Sequence, residues 1–321
     1  MLTPPKTDTP PEFHYRIPGR VSGRRPGSHA GSSVGSGQEF VTHLSLYDYP
    51  DPRRLDLRAS LRSLEDQWLV RVNRQRAGIS VRALVDVSAS MIFGSRRSKL
   101  QVVADFVEAL GSSAFRVGDA VGMMAFDDVE RSDLFVPARV SRGMGRVMAQ
   151  ALLAILNTGS VATLKLGADV HVRAKAGARP RPAARARDAR ASSEGLEAAA
   201  SRLAGQQGLV FLVSDFHWPL ERLDIVLDYF AHGTVVPMIV WDPAETEPPA
   251  KNALATLLDA ESGTRRTLWI RPRLREQWRQ AVAARRAQIN SFLAARSLRP
   301  FYLEGEFDAD ALSRYFFEAD T

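Results

Sequence analysis

Four short apolar runs, each bounded by turn residues and separated by stretches of helical spacing, leave this chain few folds to choose from. Ile79–Val87, Ala120–Phe126, Gly208–Val213 and Val235–Trp241 have strand length and are apolar nearly throughout, the pattern of a parallel sheet covered on both faces. Between the first two lies Lys99–Phe115, where Leu100, Val103, Ala104, Val107, Leu110 and Ala114 recur at helical spacing. Strand, helix, strand with short links is a βαβ unit, which implies a parallel pair with a right-handed crossover. The alternation continues with a short strand near Leu134–Val136 and helices over Gly145–Leu156, Glu194–Ala204 and Pro219–Phe230. A long amphipathic helix carries Leu274, Trp278, Val282, Ile289, Phe292 and Leu293 on one face, and Arg299–Leu303 and Ala309–Phe317 close the chain. The expected class is α/β, a Rossmann-like domain with a mostly parallel central sheet flanked by helices.

At 321 residues the chain exceeds one ordinary domain and is short for two. Residues 1–38, rich in Pro, Gly, Ser and Arg, are expected to be flexible; their glycines lack the Gly-Lys-Ser/Thr of a phosphate-binding loop. Residues 39–76 form an N-terminal extension containing a strand at Trp68–Arg76, joined around Gly78 to the strand that starts at Ile79. The main domain is expected over 77–305, interrupted by a basic low-complexity linker at 173–191, with a C-terminal helix in 306–321. There are no cysteines, which removes disulfides, thiolate metal sites and cysteine catalysis. No apolar leader and no run of membrane-spanning length is present, so the expectation is a soluble, cytoplasmic protein without a membrane partner.

The net charge of +7 is segregated. Residues 173–191 carry seven positive charges and one negative, residues 192–270 five positive and eleven negative, and residues 271–299 eight arginines with one acid, Glu276. A basic loop and a basic helix beside an acidic stretch suit protein partners better than a continuous groove for nucleic acid.

Chemistry concentrates where the first buried strand ends. Asp86, Ser88 and Ser90 place a carboxylate and two hydroxyls at i, i+2 and i+4 on a strand-to-loop turn, hard oxygen donors of the kind Mg²⁺ or Mn²⁺ prefers. Asp215 ends a second buried strand, and ligands of open α/β sheets bind beyond the carboxyl ends of strands where strand order reverses. If the two strands are neighbours, Asp215 faces the Asp86 loop. The plainer alternatives are that Ser88 and Ser90 cap or turn the chain and that Asp215 caps the helix starting at Pro219.

In order, D-x-S-x-S and a later Asp resemble the metal-ion-dependent adhesion site of von Willebrand factor A-like domains. More closely, about residues 16–317 resemble the DUF58 proteins, whose genes often accompany MoxR-type AAA+ ATPases. The blocks that carry the likeness are Gly35–Phe40, Asp51–Ser60, Leu84–Met91, Gly118-Asp119, Leu212–Phe216, Trp241–Glu245 and Leu258–Gly263. The short Pro/Arg-rich start is similar to the MxaS-type member of methanol-oxidation gene clusters. The resemblance implies a von Willebrand factor A-type fold and a non-enzymatic, chaperone-like adaptor. Its metal site would leave room for an acidic side chain of a client protein, and its partner would be a MoxR-type ATPase. In the narrower match the client is a methanol dehydrogenase under maturation. Two departures stand out: the aspartate-rich turn is shortened to Tyr49-Pro50-Asp51-Pro52, with Asp56-Leu57 after it, and the family Thr is missing. Ser192 and Ser193, just ahead of the helix that precedes the Asp215 strand, could supply that hydroxyl or could cap the helix.

Two rival functions follow from the same residues. A metal-dependent phosphohydrolase needs a base, and of the six histidines only His217 lies near a site strand. A nucleic-acid binder would use 173–191 and 271–299, with binding that weakens steeply in salt.

Overall fold

A computed structural model of the chain describes residues 11–19, 26–35, 37–158, 190–249, 253–258 and 265–318. In chain order its strands are β1 (Pro26–Gly35), β2 (Glu39–Ser45), β3 (Leu69–Ala77), β4 (Ser80–Asp86), β5 (Ala120–Phe126), β6 (Glu130–Arg139), β7 (Leu209–Ser214), β8 (Thr234–Trp241), β9 (Ala253–Leu258), β10 (Arg265–Ile270) and β11 (Phe301–Glu304). The helices are α1 (Leu57–Ser60), α2 (Ala89–Ile92), α3 (Lys99–Val117), α4 (Met144–Thr158), α5 (Arg190–Ser201), α6 (Leu223–Asp228), α7 (Pro243–Thr246), α8 (Pro272–Ala294) and α9 (Ala309–Glu318).

The central sheet has the order β11-β8-β7-β4-β5-β6, parallel except for β6, which closes one edge antiparallel to β5. The α/β class is therefore as the apolar runs require. β4 pairs with β5 on one side and β7 on the other, so the order reverses between β4 and β7. Alternation along the strands sends Ala83, Val85, Phe211 and Val213 into one core with residues of α3, α4 and α9. Leu84, Leu212 and Ile239 enter the other core, with α5, α6 and α8.

All six apolar residues that mark α3 are buried. A capping box between Ser98 and Gln101 starts that helix, and Gly118, at φ +81°, ends it. Where α3 crosses α4, a Cβ on Gly111 would lie 2.3 Å from the Gly145 Cα, so both positions need glycine for the backbones to approach this closely. The Pro219–Phe230 stretch splits into a 3₁₀ turn at Leu220–Arg222 and the short α6.

β3 and β4 follow one another as expected but belong to different sheets. β3 is the middle strand of a small antiparallel sheet, β1-β3-β2, which forms the N-terminal extension. The flexible start expected of residues 1–38 is corrected by two of its segments: β1 is a strand, and residues 11–19 strap across the main domain. Phe13 is fully buried against Phe106, Phe211 and Phe307. Tyr15 Oη donates to Asp119 Oδ2 at 2.6 Å, and His29 of β1 meets the same oxygen at 2.7 Å. The period-two set Phe13, Tyr15, Ile17 was hidden among prolines and glycines. Residues 159–189, which hold nearly all of the basic linker, lie outside the described residues.

Candidate functional site

The site is built from the ends of β4 and β7. In register, Val85 faces Val213, and one residue on, the Ser214 hydroxyl donates to Asp86 Oδ2 at 2.6 Å. The other Asp86 oxygen accepts the Ser88 N–H at 2.9 Å, which folds the turn after β4 back on the carboxylate. Ser88 precedes α2 but makes no capping bond. Its hydroxyl lies 3.2 Å from that of Ser90, and Ser90 in turn hydrogen-bonds Asp215. Asp215 caps no helix, since the 3₁₀ turn at Leu220 has no side-chain cap. Asp86, Ser88, Ser90 and Asp215 thus meet at the switch point, where both carboxylates also close tight turns, Asp86 accepting the Ser88 N–H and Asp215 Oδ1 the His217 N–H at 3.2 Å.

Ser214 is the hub that the sequence reading passed over. Besides donating to Asp86, its oxygen accepts the Phe216 N–H and the Trp218 Nε1–H, each at 3.0 Å. The chain can turn this sharply because Phe216 takes a left-handed conformation, φ +54°. The strain is held by stacking of its buried ring on Trp218 and by Arg285 of α8, which donates to the Phe216 and Trp218 carbonyls.

The two carboxylates titrate in opposite directions. Burial pushes the Asp86 carboxyl up to about 7, the Asp215 charge adds to the rise, and bonds from Ser214 and Ser88 oppose it. Burial also acts to raise Asp215, but the Lys99 ammonium, His217 and hydrogen bonds from Lys99 and Ser90 outweigh it and bring that carboxyl down to about 2. Lys99 is the largest source of the difference, since it touches Asp215 and not Asp86. Its Nζ lies 2.8 Å from Asp215 Oδ2 and 2.7 and 3.0 Å from the Glu245 oxygens. Burial disfavours the ammonium, yet the two carboxylates hold its pKa above the ordinary value, so Lys99 is a cation.

Glu245 is fixed in turn. It sits in α7, whose capping box joins Asp242 and Glu245, and its carbonyl accepts from Trp278 of α8 at 2.7 Å. Asp242 Oδ2 accepts from the Ser95 N–H and hydroxyl, tying the loop after α2 to the end of β8. Two signals pointed to this group: the Asp242-x-x-Glu245 pattern of a capping box, and Lys99 standing in phase with the apolar stripe of α3.

Ser192 and Ser193 lie within the first turn of α5 rather than ahead of it; their side chains are outside the described residues. A Cβ on Gly195 would lie 2.2 Å from the Asp127 carbonyl oxygen, just past β5, so α5 starts at the same end of the sheet as Asp86. His217 is half exposed, with Nε2 3.9 Å from Asp215 Oδ2.

Among the described residues no three His, Cys, Asp or Glu side chains are arranged to hold a metal ion. What β4 and β7 bring together is two carboxylates and two hydroxyls, an all-oxygen set suited to Mg²⁺ or Mn²⁺ rather than to a softer ion. Asp86 is buried with no ion pair among the described residues, beside a second carboxylate, so the set has an unmet demand for positive charge. The residues fit a divalent cation, with Lys99 already serving one of the two acids.

Comparison with known proteins gives a family and a few distant structures. The family described as "Protein of unknown function DUF58" matches residues 48–288. No curated protein matches the chain. Among solved structures, the chain is similar to the conserved hypothetical protein BatB from Bacteroides thetaiotaomicron, at 13% identity and a TM-score of 0.39, over 76% of this chain and 99% of that one. It is similar to an aerotolerance-related membrane protein from Bacteroides fragilis at 10% identity and 0.38, over 75% and 98%. A von Willebrand factor type A protein from Catenulispora acidiphila gives 10% and 0.33, over 77% and 43%. Among the described residues no helix is long and apolar enough to cross a membrane.

Proposed function

For this chain, which belongs to the DUF58 family, we propose a non-enzymatic protein-binding role in which Asp86, Ser88, Ser90 and Asp215 hold Mg²⁺ or Mn²⁺ against a carboxylate of a partner. Ser192 or Ser193 is the proposed source of a further hydroxyl. The single observation that carries this reading is the convergence of these four side chains at the β4/β7 switch point around a buried, uncompensated Asp86. Ser214 orients Asp86, the turn at Ser88 presents the two hydroxyls, and the packed Phe216–Trp218 turn keeps Asp215 in place. A bound divalent ion supplies a Lewis-acidic bridge with coordination positions left for a partner's oxygen. By resemblance, the partner is a MoxR-type AAA+ ATPase and the client a protein under maturation, a methanol dehydrogenase in the narrower reading.

The rival readings have less behind them. The clefts of about 410 and 670 Å³ beside the N-terminal strap and beside Phe40 are lined by none of the four site residues. Several arginines of the basic C-terminal stretch are engaged within the chain: Arg285 with backbone carbonyls, Arg286 with Glu304, Arg296 with Asp224 and Asp228, and Arg299 with Glu318. That leaves less free charge for phosphates.

Co-purification with a MoxR-type ATPase, in Mg²⁺ and in chelator, tests the proposal. The wild type should be retained in Mg²⁺ and lost in chelator. Asp86→Ala should be lost in both while keeping its circular dichroism. An Asp86→Ala protein with full Mg²⁺-dependent retention overturns the reading.

A further inference from the structure

Lys99 is the least expected residue at this site. It opens α3, is 2% exposed, and reaches two carboxylates, Asp215 after β7 and Glu245 in α7. We propose that Lys99 competes with a divalent cation for Asp215, and that Glu245 is the second seat onto which the ammonium withdraws when the cation binds. This inference rests on the metal-binding reading above and concerns how that site is regulated.

The geometry restricts where the ammonium can go. Its helix start is fixed by the Ser98 capping box and by the Lys99 N–H to the Phe93 carbonyl, 2.8 Å. The side chain has almost no exposure, so a shift between its two acids is open to it and departure into water is not. Glu245 is anchored by the Asp242 N–H and by Trp278, and already holds the ammonium with both oxygens. Asp215 holds it with one. Moving onto Glu245 therefore breaks one of three charge-assisted bonds and leaves the lysine paired, avoiding the heavy penalty of an unpaired buried charge.

With Lys99 on Asp215, an incoming cation meets one uncompensated carboxylate, Asp86. With Lys99 withdrawn it meets two. A monovalent ion offers no more charge than the ammonium it must displace, whereas Mg²⁺ or Mn²⁺ offers twice as much, which makes Lys99 a residue that selects for divalent ions and keeps their binding weak and reversible.

Calorimetric titration of Mg²⁺ into the full chain tests this with four proteins: wild type, Lys99→Met, Glu245→Gln and Asp86→Ala. Lys99→Met should bind Mg²⁺ at least about tenfold more tightly than wild type, because the competitor is gone. Glu245→Gln should bind several-fold more weakly, because the whole ammonium then falls to Asp215. If Lys99→Met unfolds without cation, Mg²⁺ should restore its circular dichroism; if it stays unfolded in Mg²⁺ as well, Glu245→Gln decides. Saturable wild-type binding that Asp86→Ala abolishes, with Lys99→Met no tighter or Glu245→Gln no weaker than wild type, would overturn the competition and leave the metal reading standing. No Mg²⁺ binding in wild type or Lys99→Met overturns both.

Discussion

Replacing Ser214 by Ala should show how far the site depends on one hydroxyl. The oxygen serves three buried groups: it donates to Asp86 Oδ2 at 2.6 Å and accepts from the Phe216 N–H and the Trp218 Nε1–H at 3.0 Å each. Alanine leaves all three without this partner. A buried polar group left unsatisfied costs about 1–3 kcal/mol, with a bond to a charged acceptor at the upper end, and relaxation recovers part of the sum. A loss of about 4 kcal/mol is expected, a large share of the roughly 5–15 kcal/mol that holds a domain folded. Urea unfolding in chelator at pH 8 reads it directly. The pH dependence gives a second check. The Ser214 bond favours the charged form of Asp86 and holds down a carboxyl that burial has already pushed up to about 7, so the variant's carboxyl rises further. A group whose folded pKa lies above its unfolded one loses stability as pH climbs through that interval, and in the variant the interval extends beyond pH 7. The destabilisation should therefore be larger at pH 9 than at pH 5. A loss under about 1 kcal/mol at pH 8, or one larger at pH 5 than at pH 9, refutes the reasoning.

Further outcomes can be measured by the same unfolding experiment. Phe13→Ala should cost about 3–5 kcal/mol, because a fully buried ring packed on Phe106, Phe211 and Phe307 leaves a cavity; an effect under about 1 kcal/mol would mean the strap is not part of the core. Wild-type stability in metal-free buffer should fall between pH 4 and 8 by as much as about 4 kcal/mol from Asp86 alone, since its carboxyl moves from an ordinary 3.8 to about 7 on folding. Asp215 works the other way: held down at about 2, it contributes stability above pH 4 that disappears as pH falls through 2. Asp86→Asn should flatten the decline between pH 4 and 8, and an unchanged slope would assign that titration to another group.

The sheet was legible because its strands are apolar on both faces and its main helix keeps a regular stripe, signals that burial itself imposes. Asp86 and Asp215 could be paired in advance because the carboxyl ends of strands at a reversal of order are where an α/β sheet leaves an opening. Lys99 stands in phase with the apolar stripe of α3, but that phase alone did not mark it as a site residue. A lysine at the first position of a helix ordinarily faces water, and only the approach of Asp215 and Glu245, 116 and 146 residues away in sequence, makes its burial possible. Ser214 was quoted within a motif yet given no role, since nothing local says that its hydroxyl faces Asp86, 128 residues earlier. The strap escaped notice for a different reason: three apolar side chains at period two carry little weight beside so many prolines and glycines, until a groove lined by Phe106 and Phe211 is there to receive them.

Asp86, Ser88, Ser90 and Asp215 are proposed to form a divalent-cation site. Calorimetric titration of Mg²⁺ and Mn²⁺ into the purified wild type and Asp86→Ala tests it most directly. Weak, saturable binding by the wild type that disappears in Asp86→Ala is the predicted result. Equal binding by both proteins would place the ion elsewhere and contradict the claim.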